Sequence, residues 1–293
     1  MADAVLPIAL VQMTAGRTIQ PNVETACHWI RRAAEDGARF VLTPETTHLM
    51  ELKRDRVLAV SHEEANDPGL AAFTALAGEL GIWLLVGSLI IRIGPERLAN
   101  RSFLIGPDGT VRARYDKIHL FDVTLASGES YRESALYAPG DRAVVAPTDF
   151  APLGLSVCYD VRFPALYRSL AQAGAEILTV PAAFTRPTGE AHWHTLLRAR
   201  AIETGSFVLA PAQTGEHETG RATYGHSLVV SPWGEVLADG GTEPGLVRAE
   251  LDLSAVAATR ARIPSLRHDR PFAAPDPVAD TTVADEPDGE ATP

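Results

Sequence analysis

The sequence predicts a layered α/β fold with mixed sheets. Short, apolar, β-rich runs alternate along the chain with segments of helical period, and some neighbouring strands are joined by hairpins. Hairpins favour mixed sheets over a purely parallel βαβ winding. Residues 1–272 contain no linker and no short-period repeat, so we expect one large domain there. Residues 273–293 are expected to form an acidic, proline-rich, disordered tail.

The first half of the chain predicts two helices among several strands. Asn22 opens a helix whose apolar residues recur at i, i+3, i+4, i+7 and i+11 and which ends at Gly37. In the second helix, Asp67 is a typical N-cap, Pro68 a typical first residue and Gly81 a typical stop. The predicted strands are Val5–Val11, Phe40–Leu42, Ile82–Ile91 and the pair Ser102–Ile105 and Val111–Tyr115, which a turn at Pro107–Gly109 joins.

The second half repeats this alternation. Residues Glu190–Thr204 are predicted to form a helix because their apolar side chains share one side. The other predicted elements are the strands Leu153–Val157, Ile177–Val180, Phe207–Leu209, Ser227–Val230 and Val236–Leu237, the helix Phe163–Ala173 and the turn Pro232–Gly234.

The composition excludes several classes of partner. The 293 residues carry 26 Lys and Arg against 37 Asp and Glu, a net charge of −11 at pH 7, whereas nucleic-acid binding depends on surplus basic groups. No membrane partner is expected, because no apolar run approaches the ~18 residues of a spanning helix and the N-terminus lacks the basic region of a signal peptide. Two cysteines cannot form the disulfide framework of a small extracellular scaffold, so we expect a cytoplasmic protein.

The tail is distinct in composition. Residues Pro275 to Pro293 include six acids, four prolines and no Lys or Arg. Their apolar surface is too small to offset the entropy lost on ordering, which predicts disorder. An acidic interaction tail is the functional alternative.

Cys158 is the first candidate for catalysis. It follows the apolar strand end Leu155–Val157 and precedes the segment Tyr159–Pro164, which runs into a helix. A residue at such a turn projects from the sheet edge beside backbone N–H groups, as a nucleophile with an oxyanion hole requires. The helix and nearby cations would give the thiol thiolate character. The alternative is a cysteine packed as a small apolar residue, which is our interpretation of Cys27 on the apolar stripe of its helix.

Glu45 and Lys117 also follow predicted strands. Glu45 comes directly after Leu42–Pro44, and Lys117 comes at the end of Val111–Tyr115. Taken alone, each would more often be a surface charge. However, residues at the ends of three strands can converge at one sheet edge although 72 and 41 positions separate them.

The nine histidines do not predict a metal site. His192 and His194 flank Trp193 on a helix, two residues apart and therefore on different faces. That spacing is poor for joint metal binding, and no Cys, His, Asp or Glu partner completes a ligand set along the sequence. We therefore expect no metal and no other cofactor.

Three segments resemble the Glu–Lys–Cys blocks of the nitrilase, or carbon–nitrogen hydrolase, superfamily. Thr43–Glu45 resembles the glutamate block, Tyr115–Asp122 the lysine block and Gly154–Pro164 the cysteine block. One departure is Thr46–Thr47, where the family has aromatic or apolar residues. The resemblance covers about residues 5–272 and extends through Ala171–Leu178, Ala191–Trp193, Leu197–Glu203, Tyr224–Ser227 and Arg270–Pro271.

The resemblance implies a fold and a reaction. The fold is a four-layer α-β-β-α sandwich with two mixed sheets, a carbon–nitrogen hydrolase domain over 1–272 that usually pairs into homodimers or larger homo-oligomers. In the implied reaction Cys158 attacks the carbonyl of a small-molecule amide while Glu45 takes the thiol proton. Lys117 and the backbone N–H of Tyr159 then hold the oxyanion. Glu133 matches a fourth, positioning glutamate of the family, and a loop charge is its alternative.

The substrate-binding residues implied by the resemblance are less closely specified. Arg162 is expected to hold a substrate carboxylate, because a guanidinium can donate two parallel hydrogen bonds to it. Its alternative role is to brace Asp160 or a backbone carbonyl. The remaining candidates are Phe184, Thr185 and His192.

The cysteine block also distinguishes branches of the superfamily. The pattern Tyr-Asp-Xaa-Arg-Phe-Pro after Cys158 resembles the Nit branch, which implies a small carboxylate-bearing amide as substrate. Phe163–Pro164 and Tyr224–Ser227 favour deaminated glutathione over the ω-amides 2-oxoglutaramate and 2-oxosuccinamate. Another aliphatic amide or an N-carbamoyl compound is a further alternative. The competing classes are a non-catalytic binding module, against which the intact Glu–Lys–Cys set argues, and an acyltransferase with an amine acceptor.

Overall fold

The computed structural model describes residues 5–124, 128 and 130–274 of the chain. The tail predicted at 273–293 lies outside the described residues from 275 onward. The strands are β1 (Val5–Gln12), β2 (Phe40–Leu42), β3 (Trp83–Gly94), β4 (Arg97–Ile105), β5 (Val111–Asp116), β6 (Asp122–Thr124), β7 (Ser130–Arg132), β8 (Val144–Ala146), β9 (Leu153–Leu155), β10 (Ile177–Thr179), β11 (Phe207–Ala210), β12 (Thr214–Glu216), β13 (Ala222–Tyr224), β14 (Leu228–Val230), β15 (Val236–Asp239) and β16 (Gly245–Asp252). The α-helices are α1 (Ile19–Glu35), α2 (Arg54–Val60), α3 (Pro68–Leu80), α4 (Pro164–Gln172), α5 (Arg186–Thr204) and α6 (Ser254–Arg262).

Two six-stranded sheets form the centre of the described fold, and both are mixed. The first has the order β16-β1-β2-β3-β4-β5, in which β1, β2 and β3 are parallel and the other neighbours antiparallel. The second has the order β15-β14-β11-β10-β9-β8, with β9, β10 and β11 parallel. Parallel strands buried on both faces are expected to be continuously apolar, as β2 and β11 are. The predicted α/β fold with mixed sheets is confirmed.

Alternate residues of β1 face two different cores. Leu6 and Ile8 belong to a core that also contains side chains of the second sheet. Ala9 and Val11 face a second core, which the sheet shares with α1 and α3. Apolar side chains of α4 and α5, among them Trp193, cover the second sheet. The layers therefore run helix, sheet, sheet, helix, which confirms the four-layer sandwich.

Local sequence sets the helix boundaries. Asp67 Oδ1 accepts a hydrogen bond from Leu70 N at 2.8 Å at the start of α3, and Gly81, with φ of 62°, follows its end, as predicted. By contrast, α5 begins at Arg186 rather than Glu190, because Pro187 is well suited to the first helical turn. Short α2 and α6 were not predicted. No helix within the described ranges is long and apolar enough to cross a membrane.

Candidate active site

Cys158 lies at a sharp turn between β9 and α4. It begins a short 3-10 helix, Cys158–Arg162, and its φ is +50°. A left-handed backbone at a residue other than glycine costs about 1–3 kcal/mol, which surrounding contacts must offset. Asp160 supplies such contacts, because its carboxylate accepts hydrogen bonds from Val157 N at 2.8 Å and Tyr115 Oη at 2.7 Å. The turn predicted from the sequence is thus present and braced.

Glu45 lies beyond the end of β2 and is 4 % exposed. Its Oε1 accepts hydrogen bonds from Asn100 Nδ2 and Lys117 Nζ, both at 2.9 Å, and its Oε2 accepts one from Ala183 N at 2.8 Å. The close approach of β3 to this segment requires glycine at position 87, where a Cβ would lie only 2.1 Å from Thr43 O. The carboxylate is therefore fixed from three sides.

Lys117 follows β5 and is 2 % exposed. Its Nζ lies 2.9 Å from Glu45 Oε1 and 2.9 Å from Glu133 Oε2. Glu133 Oε2 also accepts a hydrogen bond from Phe121 N at 2.7 Å. The ammonium group is held between two carboxylates, so the structure brings together Glu45, Lys117 and Glu133 as the sequence indicated.

Burial and neighbouring charges shift the pKa values of Cys158, Glu45 and Lys117. Burial, followed by the negative charge of Glu45, raises the pKa of Cys158 well above its usual range. Burial also acts to raise the pKa of Glu45, but the Lys117 ammonium outweighs it and the net pKa is lowered. Burial acts to lower the pKa of Lys117, yet the two carboxylates raise it well above its ordinary value. The raised pKa of Cys158 favours a neutral thiol and runs against the predicted thiolate character.

A cavity of about 330 Å³ adjoins these groups, a volume within the usual range of small-molecule sites. Phe184 and Thr185 line it, as does Tyr159 in the first turn of the 3-10 helix, where amides lack intrahelical partners. Thr46, one of the two departures from the family pattern, forms part of the wall. Other lining residues include Glu45, Arg54, Asn100, Lys117, Phe121, Tyr131, Arg132, Glu133, Tyr137, Cys158 and Arg221.

Arg162 and His192 are placed differently from the other predicted site residues. Neither is among the residues that line the cavity. The Arg162 guanidinium lies 5.2 Å from the ring centroid of Phe184 and 5.9 Å from that of Tyr159, and its Nη2 is 3.2 Å from His192 Nδ1. The structure thus pairs Arg162 with His192 on cavity-wall aromatic rings and does not bring them to the cavity.

Asn100 and Arg221 are site residues that the sequence analysis missed. Asn100 Nδ2 bridges Glu45 Oε1 at 2.9 Å and Glu133 Oε1 at 3.2 Å. An asparagine within the apolar strand β4 is a detectable signal, since asparagine is depleted in strands. Arg221, beside the short strand β13, carries no comparable signal in its sequence neighbourhood.

A second polar cluster lies apart from the cavity. His194 Nε2 is 2.9 Å from Asp239 Oδ2, and His226 Nδ1 is 2.9 Å from Asp239 Oδ1. The three potential ligand atoms lie within 4.8 Å of one another. The sequence predicts no partner for His194 in a ligand set, but folding brings two potential partners from 32 and 45 positions further along the chain. Hydrogen bonds within the cluster account for its arrangement.

Comparison with known sequences identifies the family of this chain. The model of the carbon–nitrogen hydrolase family matches residues 7–261. The chain is 39 % identical over 269 residues to deaminated glutathione amidase of Synechocystis, covering 89 % of this chain and 96 % of that protein. It is 36 % identical to human omega-amidase, covering 90 % of this chain and 94 % of that protein.

Solved structures agree as well. The C. elegans NitFhit protein superposes with a TM-score of 0.86 at 38 % identity, covering 92 % of this chain and 66 % of that one. An amidase variant from Nesterenkonia sp. AN1, in which acrylamide has added to the active-site cysteine, superposes with a TM-score of 0.75 at 31 % identity, covering 88 % of this chain and 97 % of that one. The chain belongs to the carbon–nitrogen hydrolase family.

Proposed function

We propose that this chain is an amidase that hydrolyses a small carboxylate-bearing amide through a cysteine thioester, with Glu45, Lys117 and Cys158 as its catalytic residues. The observation that carries the proposal is the contact of Lys117 Nζ with Glu45 Oε1 at 2.9 Å in a cavity that Cys158 also lines. This arrangement places a nucleophile (Cys158), a base (Glu45) and a cation for the oxyanion (Lys117) within one small volume.

The acylation step follows from the charges in the cluster. Cys158 Sγ attacks the amide carbonyl carbon as its proton passes to the Glu45 carboxylate, which the lowered pKa keeps ionised. The oxyanion accepts hydrogen bonds from Lys117 Nζ and the backbone N–H of Tyr159. When the C–N bond breaks, Glu45 returns the proton to the leaving nitrogen, and a thioester remains on the sulfur.

Deacylation uses the same groups. Glu45 takes a proton from a water molecule, and the hydroxide forms a bond to the thioester carbon. The C–S bond then breaks, the carboxylic acid product leaves and the proton on Glu45 returns to the Cys158 thiolate. Glu133 and Asn100 act through their contacts with Lys117 and Glu45, so we propose positioning roles for them.

Deaminated glutathione is the substrate that we propose. Its Synechocystis, human and other namesake amidases align with about nine-tenths of this chain. Three arginines, Arg54, Arg132 and Arg221, line the cavity in addition to Lys117. Several cations suit a substrate with a carboxylate on each side of the scissile amide. The ω-amide 2-oxoglutaramate, with one carboxylate, is the second candidate, which the similarity to human omega-amidase favours.

The proposal is tested by kcat/KM for deaminated glutathione, 2-oxoglutaramate and a neutral aliphatic amide, with intact-mass spectrometry during turnover. We expect the highest kcat/KM for deaminated glutathione and a transient covalent acyl adduct that is absent from Cys158→Ala. A preference for 2-oxoglutaramate would identify an ω-amidase instead. An amide product formed only with added amine would identify an acyltransferase, and no turnover with any amide would contradict the proposal.

We further propose that the chain forms a homodimer or larger homo-oligomer. Ile202 on α5 and Trp233 in the turn before β15 are each about half exposed, and Ile202 lies against Gly234 of that turn. Exposed large apolar side chains that adjoin are typical of contact surfaces. Sedimentation velocity checks this, and a concentration-independent monomer would contradict it.

A further inference from the structure

We infer that Arg221 binds a carboxylate of the substrate and thereby selects anionic over neutral amides. The inference rests on the proposed amidase function and adds the residue that recognises the substrate class. The sequence instead indicated Arg162 for this role.

Arg221 reaches the catalytic cluster through one residue, Ala183. It immediately precedes β13, which lies along the segment that carries Phe184, because Tyr224 N donates a hydrogen bond to Phe184 O at 3.0 Å. Arg221 Nη2 donates to Ala183 O at 2.5 Å, and Ala183 N donates to Glu45 Oε2 at 2.8 Å. A ligand held by Arg221 therefore lies beside the base that acts on the scissile amide.

The guanidinium of Arg221 is incompletely satisfied. Its Nε is buried and has no hydrogen-bond partner among the described residues. No described carboxylate lies within 4.0 Å of it, although its face lies 5.2 Å from the centroid of the Tyr131 ring. An arginine stays protonated whatever its surroundings, and the charge of Arg221 helps to lower the pKa of Glu45. Because the Arg221 side chain lines the cavity, a substrate carboxylate bound there supplies the missing ion-pair partner.

Two of the other three cations that line the cavity are already paired. Lys117 contacts Glu45 and Glu133, and Arg54 Nη2 contacts Glu96 at 3.0 Å. Arg162 contacts His192 and aromatic rings and does not line the cavity. Arg221 is the cavity arginine that the structure ties to the reaction centre, through Ala183 and Glu45.

The kinetic test compares Arg221→Lys with Arg162→Lys. A lysine keeps the positive charge but cannot reproduce two parallel hydrogen bonds. For a carboxylate-bearing amide we expect Arg221→Lys to raise KM about 10- to 100-fold, the range of a lost charge-assisted hydrogen bond, with a much smaller effect on kcat. A neutral aliphatic amide should be affected far less. Arg162→Lys should change charged and neutral amides equally, and Arg112→Lys, on the distant β4–β5 hairpin, is the surface control.

The reverse pattern overturns the inference. Equal losses on charged and neutral amides by Arg221→Lys, mainly in kcat, would show that Arg221 only positions Ala183 and Glu45. Selective loss on charged amides by Arg162→Lys would return the role to Arg162.

A binding measurement separates failure of this inference from failure of the proposed function. Calorimetry with 2-oxoglutarate as the probe, on Cys158→Ala protein, needs no turnover. We expect the additional Arg221→Lys change to weaken binding at least about tenfold, and the additional Arg162→Lys change to leave it within about twofold. Binding that depends on Arg221 in a protein that hydrolyses no amide would refute the amidase but uphold the inference. Absent binding, or binding indifferent to Arg221, would refute the inference.

Discussion

Cys27 and Cys158 are the two thiols of this chain, and burial raises the pKa of both. Cys27 lies on α1 and packs at the edge of the core between that helix and the first sheet. Cys158 lies between the sheets at the cavity, in contact with the charges of Glu45 and Lys117. The comparison shows that an acidic thiol is not what distinguishes the candidate nucleophile. The candidate nucleophile differs from Cys27 because the Glu45 carboxylate lies beside it and can accept its proton.

The two cysteines also differ in backbone conformation. Cys27 has an ordinary helical environment, whereas Cys158 has a φ of +50° held by the hydrogen bonds of Asp160. The three described residues other than glycine with positive φ are Thr46, Cys158 and His226. Two of these three form part of the cavity wall, so the backbone strain is concentrated where the chemistry is proposed.

The largest expected effect is on activity in Cys158→Ala. Without the sulfur no thioester forms, so we expect kcat/KM to fall at least about a thousandfold, because nucleophile removal costs far more than a positioning contact. The folded state should persist, since alanine fits the same space. The measurement is amide turnover together with circular dichroism. Activity within about tenfold of wild type would reject Cys158 as the nucleophile.

Lys117→Gln is expected to affect both activity and stability. It removes the oxyanion's cationic partner and leaves the Glu45 and Glu133 carboxylates without the cation they share. Breaking a buried ion pair from one side costs about 3–5 kcal/mol, so urea unfolding should show a loss of that order along with near-complete loss of turnover. Arg101→Gln, which removes partly buried ion pairs with Asp116 and Glu64 outside the cavity, is the control for stability loss alone. Full activity in a folded Lys117→Gln protein would contradict the assignment.

The pH profile distinguishes a thiol–carboxylate pair from a preformed thiolate. The pKa of Glu45 is lowered below its usual 4.5, so its contribution to stability and its action as base are present above that pH and are lost as pH falls through the lowered value. The pKa values of Lys117 and Cys158 are raised above their usual 10.5 and 9.0. The three groups therefore give kcat/KM no titration between about pH 5 and 9. A limb near neutral pH that disappears in Glu45→Gln or Lys117→Arg would contradict these directions.

Sequence reasoning succeeded where a local signal sufficed. The apolar runs predict the central strands, and Asp67 with Pro68 predicts the start of α3 because capping is a matter of a few neighbouring residues. Glu45, Lys117 and Cys158 follow from strand ends and family resemblance. Short α2 and α6 carry too few residues for a clear period.

The remainder of the site depends on tertiary contacts. Arg221 lies 63 positions beyond Cys158 and enters the cavity through the pairing of β12 with β13 and its contact with Ala183. Arg162 is near Cys158 in sequence, yet the turn carries its side chain to His192. Proximity along the chain was therefore a poor guide to which arginine lines the cavity. The upward shift of the Cys158 pKa is likewise invisible in the local sequence, since burial and the Glu45 charge come from distant segments.

The smallest expected effect is that of Cys27→Ala, which completes the comparison of the two thiols. Cys27 is partly buried at the edge of its helix–sheet core, and no described catalytic group contacts it. Alanine has the higher helix propensity, so the loss of packing is partly offset and we expect at most about 1 kcal/mol of destabilisation, measured by urea unfolding. Turnover should equal that of wild type, and intact-mass spectrometry should still show one acyl adduct per chain. Loss of that adduct in a folded Cys27→Ala protein would mean that the wrong thiol had been assigned as the nucleophile.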